Sequence, residues 1–191
     1  MDRAALRIII FTLVMGIASG SILLGINVYT TPLIAKNEEI KLKSSVLDAF
    51  EIGYEKPDII KTFDSDIAVI KKEGYTSYRA HDGAVAFEFS GPGLWGPISG
   101  IVSLEADLKT IRNIKVTHQE ETPGLGGRIA ERGWLAQFKK KAILPRLVFM
   151  PEGKASGENE VDAITGATGS SRAFEKLINE NLEKYLTVLK G

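Results

Sequence analysis

The chain has 191 residues, and its 24 basic and 24 acidic side chains give a formal net charge of zero at pH 7. Without a basic excess there is no electrostatic field to recruit nucleic acid, so a nucleic-acid partner is not expected. The sequence has no cysteine and only two histidines, His81 and His118. It therefore predicts no histidine–cysteine metal site and no ligand set for haem or an iron–sulfur cluster.

The N-terminal part is apolar over a long stretch. No charged residue occurs from Ile8 to Ile34, which exceeds the roughly 20 residues that cross a bilayer. A secretory signal peptide is the competing interpretation, because Arg3 and Arg7 form a basic start, but its apolar region runs only about 7 to 15 residues. We therefore expect a retained transmembrane anchor over residues 8–34 after a short tail, residues 1–7. Lysines also follow the anchor, so the charge count does not decide its orientation.

Residues 35–191 have the length of a single globular domain. Apolar spacing predicts two helices, over residues 40–50 and 129–138, and apolar or alternating runs predict three strands, over residues 85–89, 98–104 and 111–118. In the third strand His118 shares the phase of Ile114 and Val116, so we expect an inward, hydrogen-bonded side chain. Strands in succession followed by helices indicate an α+β domain with a mostly antiparallel sheet flanked by helices.

Two glycine-rich segments follow or join these strands. The first, Gly91-Pro92-Gly93-Leu94-Trp95-Gly96-Pro97, lacks the strand–turn–helix context of a dinucleotide fingerprint. Its Trp95 either fills the core or stacks on a bound ring. The second, Glu121-Thr122-Pro123-Gly124-Leu125-Gly126-Gly127, predicts a tight, exposed turn after the third strand. A glycine-rich loop with a single leucine is suited to covering a flat ring.

The most informative segment is Asp162-Ala163-Ile164-Thr165-Gly166-Ala167-Thr168. After it, apolar residues recur at steps of three and four from Phe174 to Leu189, which predicts a helix with one apolar face. The unpaired amides of its first turn, near Ser170 and Ser171, favour an anion. The hydroxyls and the small residues Gly166 and Ala167 would then form a phosphate seat. Alternatively, the hydroxyls only cap the helix.

Residues 151–157 predict a surface loop that leads into this motif. Lys154 of the loop either approaches a bound phosphate or is an ordinary solvated lysine.

Taken together, the three segments resemble the family of FMN-binding domains in which FMN is attached through its phosphate to a threonine. The family motif reads acidic-x-x-Ser/Thr-Gly-Ala-Thr, and the resemblance makes Thr168 the bonded residue. The nearest subfamily is the G subunit of the Rnf ion-translocating electron-transport complex, which is related to the C subunit of sodium-pumping NADH:quinone reductase. Gly169 departs from the family, which more often has a bulkier residue there.

The resemblance implies one covalent FMN per chain and no metal or catalytic residue in the chain itself. It implies that the following residues surround the flavin: Trp95, Glu121, Thr122, Gly124, Leu125, Gly126, Lys154, Asp162, Thr165, Gly166, Ala167, Ser170 and Ser171, with Thr168 carrying the phosphoester. It also implies a maturation partner, a separate flavin transferase that uses FAD and Mg.

The function implied by the resemblance is electron relay in a membrane-bound, ion-translocating oxidoreductase complex of the ferredoxin:NAD type. Its partners would be membrane and iron–sulfur subunits of the same complex. The FMN domain, residues 35–191, would lie on the extracytoplasmic side of the cell (inner) membrane. Two alternatives stay open: a C-type subunit of sodium-pumping NADH:quinone reductase, and a membrane-tethered flavin-binding module outside any pump.

Overall fold

The computed structural model describes residues 2–190, without the side chain of Lys190. The chain divides into two compact units, one ending at Leu42 and one beginning at Lys43. The first helix, α1, runs over Arg3–Ala49 and contains Pro32. Its most apolar 18-residue window has a mean hydropathy of 2.3 and is not buried, so α1 is long and apolar enough to cross a membrane. The two helices expected over residues 8–34 and 40–50 are thus one continuous helix.

The second unit contains a five-stranded sheet and three further helices. A short helix α2, Ile59–Asp66, precedes strands β1 to β5, which are Ile67–Lys72, Tyr75–Ala80, Val85–Pro92, Pro97–Leu104 and Ile111–Gln119. Three short helical turns follow, Gly126–Ala130, α3 at Arg132–Leu135 and Ala136–Phe138. Two three-residue strands, β6 at Val148–Met150 and β7 at Glu160–Asp162, then lead to the long helix α4, Thr168–Lys190.

The five strands pair with their sequence neighbours in the order β1-β2-β3-β4-β5, and every pair is antiparallel. This confirms the expected α+β fold with a mostly antiparallel sheet flanked by helices. Among the described residues, only the separate β6–β7 pair is parallel. Strands β1, β2, β6 and β7 and helix α2 were not predicted from the sequence. The β1–β2 hairpin turns at Glu73-Gly74, both with positive φ, as a two-residue hairpin of type I′ requires.

The two faces of the sheet bury different elements. Phe87 of β3 stacks on Tyr185 of α4 at 3.9 Å between ring centroids, so α4 covers that face. Ser103 lies on the opposite face, because it pairs with Ala86, the neighbour of Phe87. There its hydroxyl donates to the carbonyl of Ala49 at 2.5 Å, at the end of α1. Helices therefore flank both faces of the sheet.

Two expectations need correction. The helix expected over residues 129–138 is three short turns; Ile129, Leu135 and Phe138 are buried, and helical spacing alone suggested one helix. The side chain of His118 is exposed rather than inward, and its Nε2 lies 3.3 Å from the carboxylate of Glu120. The cause is a shift in register: Gly100 pairs with Val116, but Ser99 pairs with His118. The extra residue reverses the alternation of side chains.

The aromatic cluster under α4 gives a direct test of the packing. Phe174 is fully buried and its ring lies within 5.6–6.1 Å of the rings of Trp134, Phe89 and Phe138. Phe174→Ala should lower the free energy of unfolding by about 3–5 kcal/mol, because it removes a ring and leaves a cavity. Denaturant unfolding of the full chain in detergent, followed by tryptophan fluorescence, measures the loss.

The matched control is Lys176→Ala in the same helix, whose side chain is 75% exposed and should cost no more than about 0.5 kcal/mol. Equal effects of the two substitutions would contradict the described packing.

Candidate functional site

The three segments singled out in the sequence meet at one buried carboxylate, that of Glu121. The residue is only 3% exposed. Its Oε1 accepts hydrogen bonds from the backbone amides of Leu94 and Trp95, at 2.7 and 3.0 Å. Its Oε2 accepts a hydrogen bond from the hydroxyl of Ser170 at 2.5 Å. The glycine-rich loop after β3, the loop after β5 and the first turn of α4 are therefore joined through a single side chain.

Glycines on either side leave room for this carboxylate. A Cβ atom on Gly93 would collide with Oε1 of Glu121, and one on Gly126 would collide with the Ser170 hydroxyl and lie 2.9 Å from Oε2. A buried carboxylate is tolerated only when hydrogen-bond donors surround it. The two glycines let the backbone come close enough for those donors to reach, which gives a physical reason for glycine at both positions.

The end of β5 and a compact turn hold Glu121 in place. The Oε1 atom of Gln119 accepts a hydrogen bond from the amide of Glu121 at 2.6 Å. Beyond it, the carbonyl of Thr122 accepts bonds from the amides of Leu125 and Gly127, at 3.2 and 2.9 Å. Gly124 takes a φ of +73° at the tip of the turn, a conformation that glycine adopts without strain. Thr122 and Gly124 themselves are exposed.

The motif ends where α4 begins. Thr168 is the first helical residue, and the amide of Ser171 makes the first intrahelical bond, to the carbonyl of Ala167 at 2.9 Å. The amides of Thr168, Gly169 and Ser170 precede that bond and are the donors that a helix start offers to an anion. Thr168 itself is exposed. A hydroxyl-bearing, exposed residue thus stands at the positive end of a 23-residue helix.

The loop before Thr168 is partly exposed and partly packed. Thr165 and Gly166 are exposed, whereas Ala167 is 7% exposed. Gly166 has a φ of +81°, which disfavours any residue with a side chain. The loop therefore turns sharply just before the helix and presents Thr165 and Thr168 to solvent.

Ser170 and Ser171 face the protein interior. Ser170 donates to Glu121, and the hydroxyl of Ser171 accepts a hydrogen bond from the amide of Ile164 at 3.0 Å. Both residues are nearly or fully buried, at 3% and 0% exposure. Their hydroxyls make hydrogen bonds inside the protein. Their backbone at the start of α4 is therefore the part that can contact an anion at the surface.

An exposed apolar patch borders the motif and consists of Leu94, Trp95 and Leu125, which are 52%, 74% and 48% exposed. A Cβ atom on Gly169 would lie 2.7 Å from Leu94, and one on Gly166 would lie 3.6 Å from Leu125. The patch therefore adjoins the first turn of α4. Exposed clustered apolar side chains mark a binding surface.

The exposed apolar patch settles where the side chain of Trp95 lies and adds Leu94 to the candidate site. Trp95 does not fill the core, since three quarters of its side chain is in solvent. Leu94 was missed in the sequence, although an apolar pair between glycines was the available signal.

Asp162, at the start of the motif, and Lys154, in the loop before it, do not belong to the exposed apolar patch. Oδ1 of Asp162 accepts hydrogen bonds from the amides of Lys154 and Ala155, at 3.1 and 2.9 Å. The carbonyl of Asp162 accepts a hydrogen bond from the indole of Trp134 at 2.8 Å. The acidic residue of the motif thus shapes the preceding loop. Lys154 is exposed, and both interpretations of its side chain stay open.

These features suit FMN in three respects. The start of α4 offers amides and a helix dipole to a phosphate, the Thr168 hydroxyl is accessible, and the exposed apolar patch offers a surface for a flat ring. Within residues 2–190 no cluster of three or more histidine, aspartate or glutamate side chains could hold a metal ion. The residues present therefore fit a phosphorylated flavin.

Comparison with known proteins gives a family match for part of the chain. Residues 93–183 match the FMN-binding domain family. This segment belongs to that family. The match begins at Gly93, ends within α4, and includes Glu121, the exposed apolar patch and Thr168.

Curated relatives come from two kinds of complex. The C subunit of the Na(+)-translocating NADH-quinone reductase of Pasteurella multocida is 40% identical over 46% of this chain and 35% of its own length. The G subunit of the Na(+)-translocating ferredoxin:NAD(+) oxidoreductase complex of Acetobacterium woodii is 29% identical over 83% of this chain and 72% of its own length. The chain thus spans about a third of the first relative and almost three quarters of the second.

Solved structures share the fold. The C subunit of the Na(+)-translocating NADH-quinone reductase from Parabacteroides distasonis has a TM-score of 0.73 at 22% identity, over 83% of this chain and 96% of that one. Shewanella oneidensis NqrC has a TM-score of 0.66 at 20% identity, over 78% and 93% of the two chains. The antiparallel sheet with flanking helices is therefore a shared architecture.

The loop before the motif should respond to acid. Backbone amides, that of Ala155 foremost, hold the pKa of Asp162 below its ordinary 3.8, and the amides of Ser156 and Gly157 hold the pKa of Glu160 below its ordinary 4.5. A carboxylate whose pKa is lower in the folded chain than in the unfolded chain stabilises the loop at pH values above its unfolded pKa. That stabilisation is lost as the pH falls through its folded pKa. Amide exchange over residues 154–157, corrected for intrinsic rates, should therefore accelerate as the pH falls from about 5 through the folded pKa values of the two carboxylates.

Two substitutions separate the two carboxylates. Asp162→Asn should loosen the amides of Lys154 and Ala155 and remove their pH dependence, while Ser156 and Gly157 keep theirs. Glu160→Gln should loosen the amides of Ser156 and Gly157 and remove their pH dependence, while Lys154 and Ala155 keep theirs. Exchange that is insensitive to pH in the unchanged chain would contradict this role of the two carboxylates.

Proposed function

We propose that the chain is a flavoprotein subunit that relays electrons through one FMN, attached by a phosphoester to Thr168. The observation that carries the proposal is the exposed hydroxyl of Thr168 at the first residue of α4, next to the exposed apolar patch, inside a segment of the FMN-binding domain family. The hydroxyl provides the attachment atom, the helix start the phosphate seat and the patch the ring surface.

The phosphate is held by the start of α4. A phosphate diester to Thr168 keeps one negative charge, which the amides of Gly169 and Ser170 and the positive end of the helix dipole stabilise. Arg172, four residues after Thr168 and so on the same side of α4, is exposed. Residues four apart on a helix are neighbours, so its guanidinium adds a positive charge near the phosphate.

The protein positions the cofactor, and the flavin supplies the redox chemistry. Leu94, Trp95 and Leu125 cover the ring and limit its contact with water, while Gly166 lets the backbone come close to it. Attachment through the phosphate leaves the ring electronically unchanged. It adds permanence, which suits a cofactor in a compartment without free FMN.

A second protein carries out the attachment. A threonine hydroxyl does not displace a phosphate at a useful rate by itself, so a flavin transferase that uses FAD and Mg is required. The Thr168 oxygen attacks the phosphorus on the riboflavin side of FAD, the phosphoanhydride bond breaks, and AMP leaves. The proton of the hydroxyl passes to a base of the transferase. The exposure of Thr168 gives such an enzyme access.

The chain works as part of a larger membrane complex. Helix α1 anchors it over residues 8–34, and the FMN domain, residues 35–191, lies on the extracytoplasmic side of the cell (inner) membrane. Electrons enter from one partner subunit and leave to another, among them membrane and iron–sulfur subunits of an ion-translocating ferredoxin:NAD oxidoreductase. The long alignment with the Acetobacterium woodii protein, 83% of this chain, favours this type of complex.

A subunit of a sodium-pumping NADH:quinone reductase is the second candidate. Its support is the higher identity, 40%, to the Pasteurella multocida protein over a shorter segment. A tethered flavin-binding module outside any pump is a third possibility.

The attachment site is tested by removing one oxygen. Thr168→Val keeps the shape of the side chain and should abolish covalent FMN when the full chain is produced together with a flavin transferase. Folding should be retained, since losing a single capping hydroxyl costs about 0.5–2 kcal/mol. The unchanged chain should gain the mass of FMN less one water and give a fluorescent band on a denaturing gel.

Thr165→Val is the matched control, since Thr165 is an exposed threonine of the same loop, and it should retain the flavin. Intact mass and peptide mapping decide the position. Flavin found on Thr165, Ser170 or Ser171 would overturn the assignment, and no covalent flavin in the presence of the transferase would overturn the covalent proposal.

A further inference from the structure

We propose that Glu121 is the positioning residue of the FMN site: its carboxylate joins the three surrounding segments and fixes the seat of the ring without touching the flavin. The inference rests on the proposed function, and it differs from the family-based expectation that Glu121 is itself a flavin-binding residue.

The side chain of Glu121 is already committed to the protein. The residue is almost wholly buried, and both carboxylate oxygens accept hydrogen bonds, two on Oε1 and one on Oε2. Hydrogen bonds to an ionised acceptor are stronger than those between neutral groups. A carboxylate held in this way braces the site from within and is not presented to a ligand at the surface.

Each bond fixes a part that the flavin would use. The two amides on Oε1 belong to Leu94 and Trp95, two of the three members of the exposed apolar patch. The hydroxyl on Oε2 belongs to Ser170, two residues after Thr168 in the first turn of α4. Glu121 therefore sets the distance between the ring surface and the attachment atom. Glu121 itself begins the turn that carries Leu125, the third member of the patch.

A positioning role has a distinctive pattern of substitutions. Glutamine has the same length, so its carbonyl oxygen can accept from both amides and its amide group can donate to the Ser170 hydroxyl. Aspartate keeps the negative charge but is shorter by one methylene, so it cannot reach both partners. If geometry is the role of Glu121, Gln is the tolerated substitution and Asp is not. A charge acting directly on the flavin would give the opposite order.

The test measures loading and seating separately. The full chain and its Glu121→Gln, Glu121→Asp and Glu121→Ala variants are produced with the flavin transferase. Intact mass gives the covalent FMN content. Flavin fluorescence anisotropy and visible circular dichroism report whether the ring is seated or swings on its tether. In the unloaded chains, quenching of Trp95 fluorescence by a soluble quencher reports the order of the patch without any flavin.

The Gln variant should match the unchanged chain within about twofold in the ratio of seated to released flavin, because all three hydrogen bonds can re-form. The Asp and Ala variants should show a fall of about tenfold or more, together with a mobile Trp95, because more than one bond to a charged group is lost. Glu120→Gln is the matched control, as the neighbouring carboxylate is 56% exposed and contacts only His118 among the described ion pairs. It should leave seating unchanged.

Two results would overturn the inference: Ala or Asp variants with normal seating and an ordered Trp95, or an Asp variant that behaves normally while Gln does not. If the Asp and Ala variants fail to fold, Ser170→Ala decides, since it removes only the bond to Oε2 and should release part of the flavin; unchanged seating would then contradict the inference. An unchanged chain that takes up no flavin would instead contradict the proposed function, and Trp95 quenching would still test the role of Glu121.

Discussion

The buried carboxylate of Glu121 is the constraint on which the rest of the site depends. A charged group removed from water must be surrounded by donors, and here the donors come from three separate parts of the chain. Once that requirement is imposed, other features follow. Gly93 and Gly126 leave space for the carboxylate oxygens, and the start of α4 must lie within reach of the end of β5. The amides of Leu94 and Trp95 point to the carboxylate, while both residues are exposed.

The scaffold beneath the site is packed on both sides of the sheet. Helix α4 packs aromatic and aliphatic side chains against β3 on one face, while Thr168 and Gly169 in its first turn are exposed. The same helix thus holds the core and presents Thr168. For the proposed relay, a cofactor attached to a packed helix would keep a constant distance to its redox partners.

Much of this fold and site could be predicted from local sequence. The alternation in Val85–Phe89 and the apolar runs of the next two strands identify β3, β4 and β5, and the segment Asp162–Thr168 identifies the start of α4. Strand β1 was not predicted because it is a largely exposed edge strand with little alternation, and its hairpin partner β2 was not predicted either. The prediction of one helix over residues 129–138 was wrong because consecutive short turns bury the same residues that a helix would bury.

The side-chain directions at the site could not be predicted, since they depend on long-range contacts. Ser170 and Ser171 were expected to face a ligand, but Glu121 and Ile164, 49 and seven residues away in the chain, draw their hydroxyls inward. His118 changed direction because of one extra residue in β5 opposite Ser99 and Gly100. For Ser170 and His118 the deciding partner lies in a distant part of the chain, which no local pattern reveals.

A structure of the FMN-loaded full chain tests the proposed site most directly. We expect phosphorus bonded to the Thr168 oxygen, phosphate oxygens within hydrogen-bond distance of the amides at the start of α4, and the ring against Leu94, Trp95 and Leu125. Glu121 should keep its bonds to Leu94, Trp95 and Ser170. A ring bound away from this patch, or a Glu121 carboxylate turned outward onto the flavin, would contradict the proposed site.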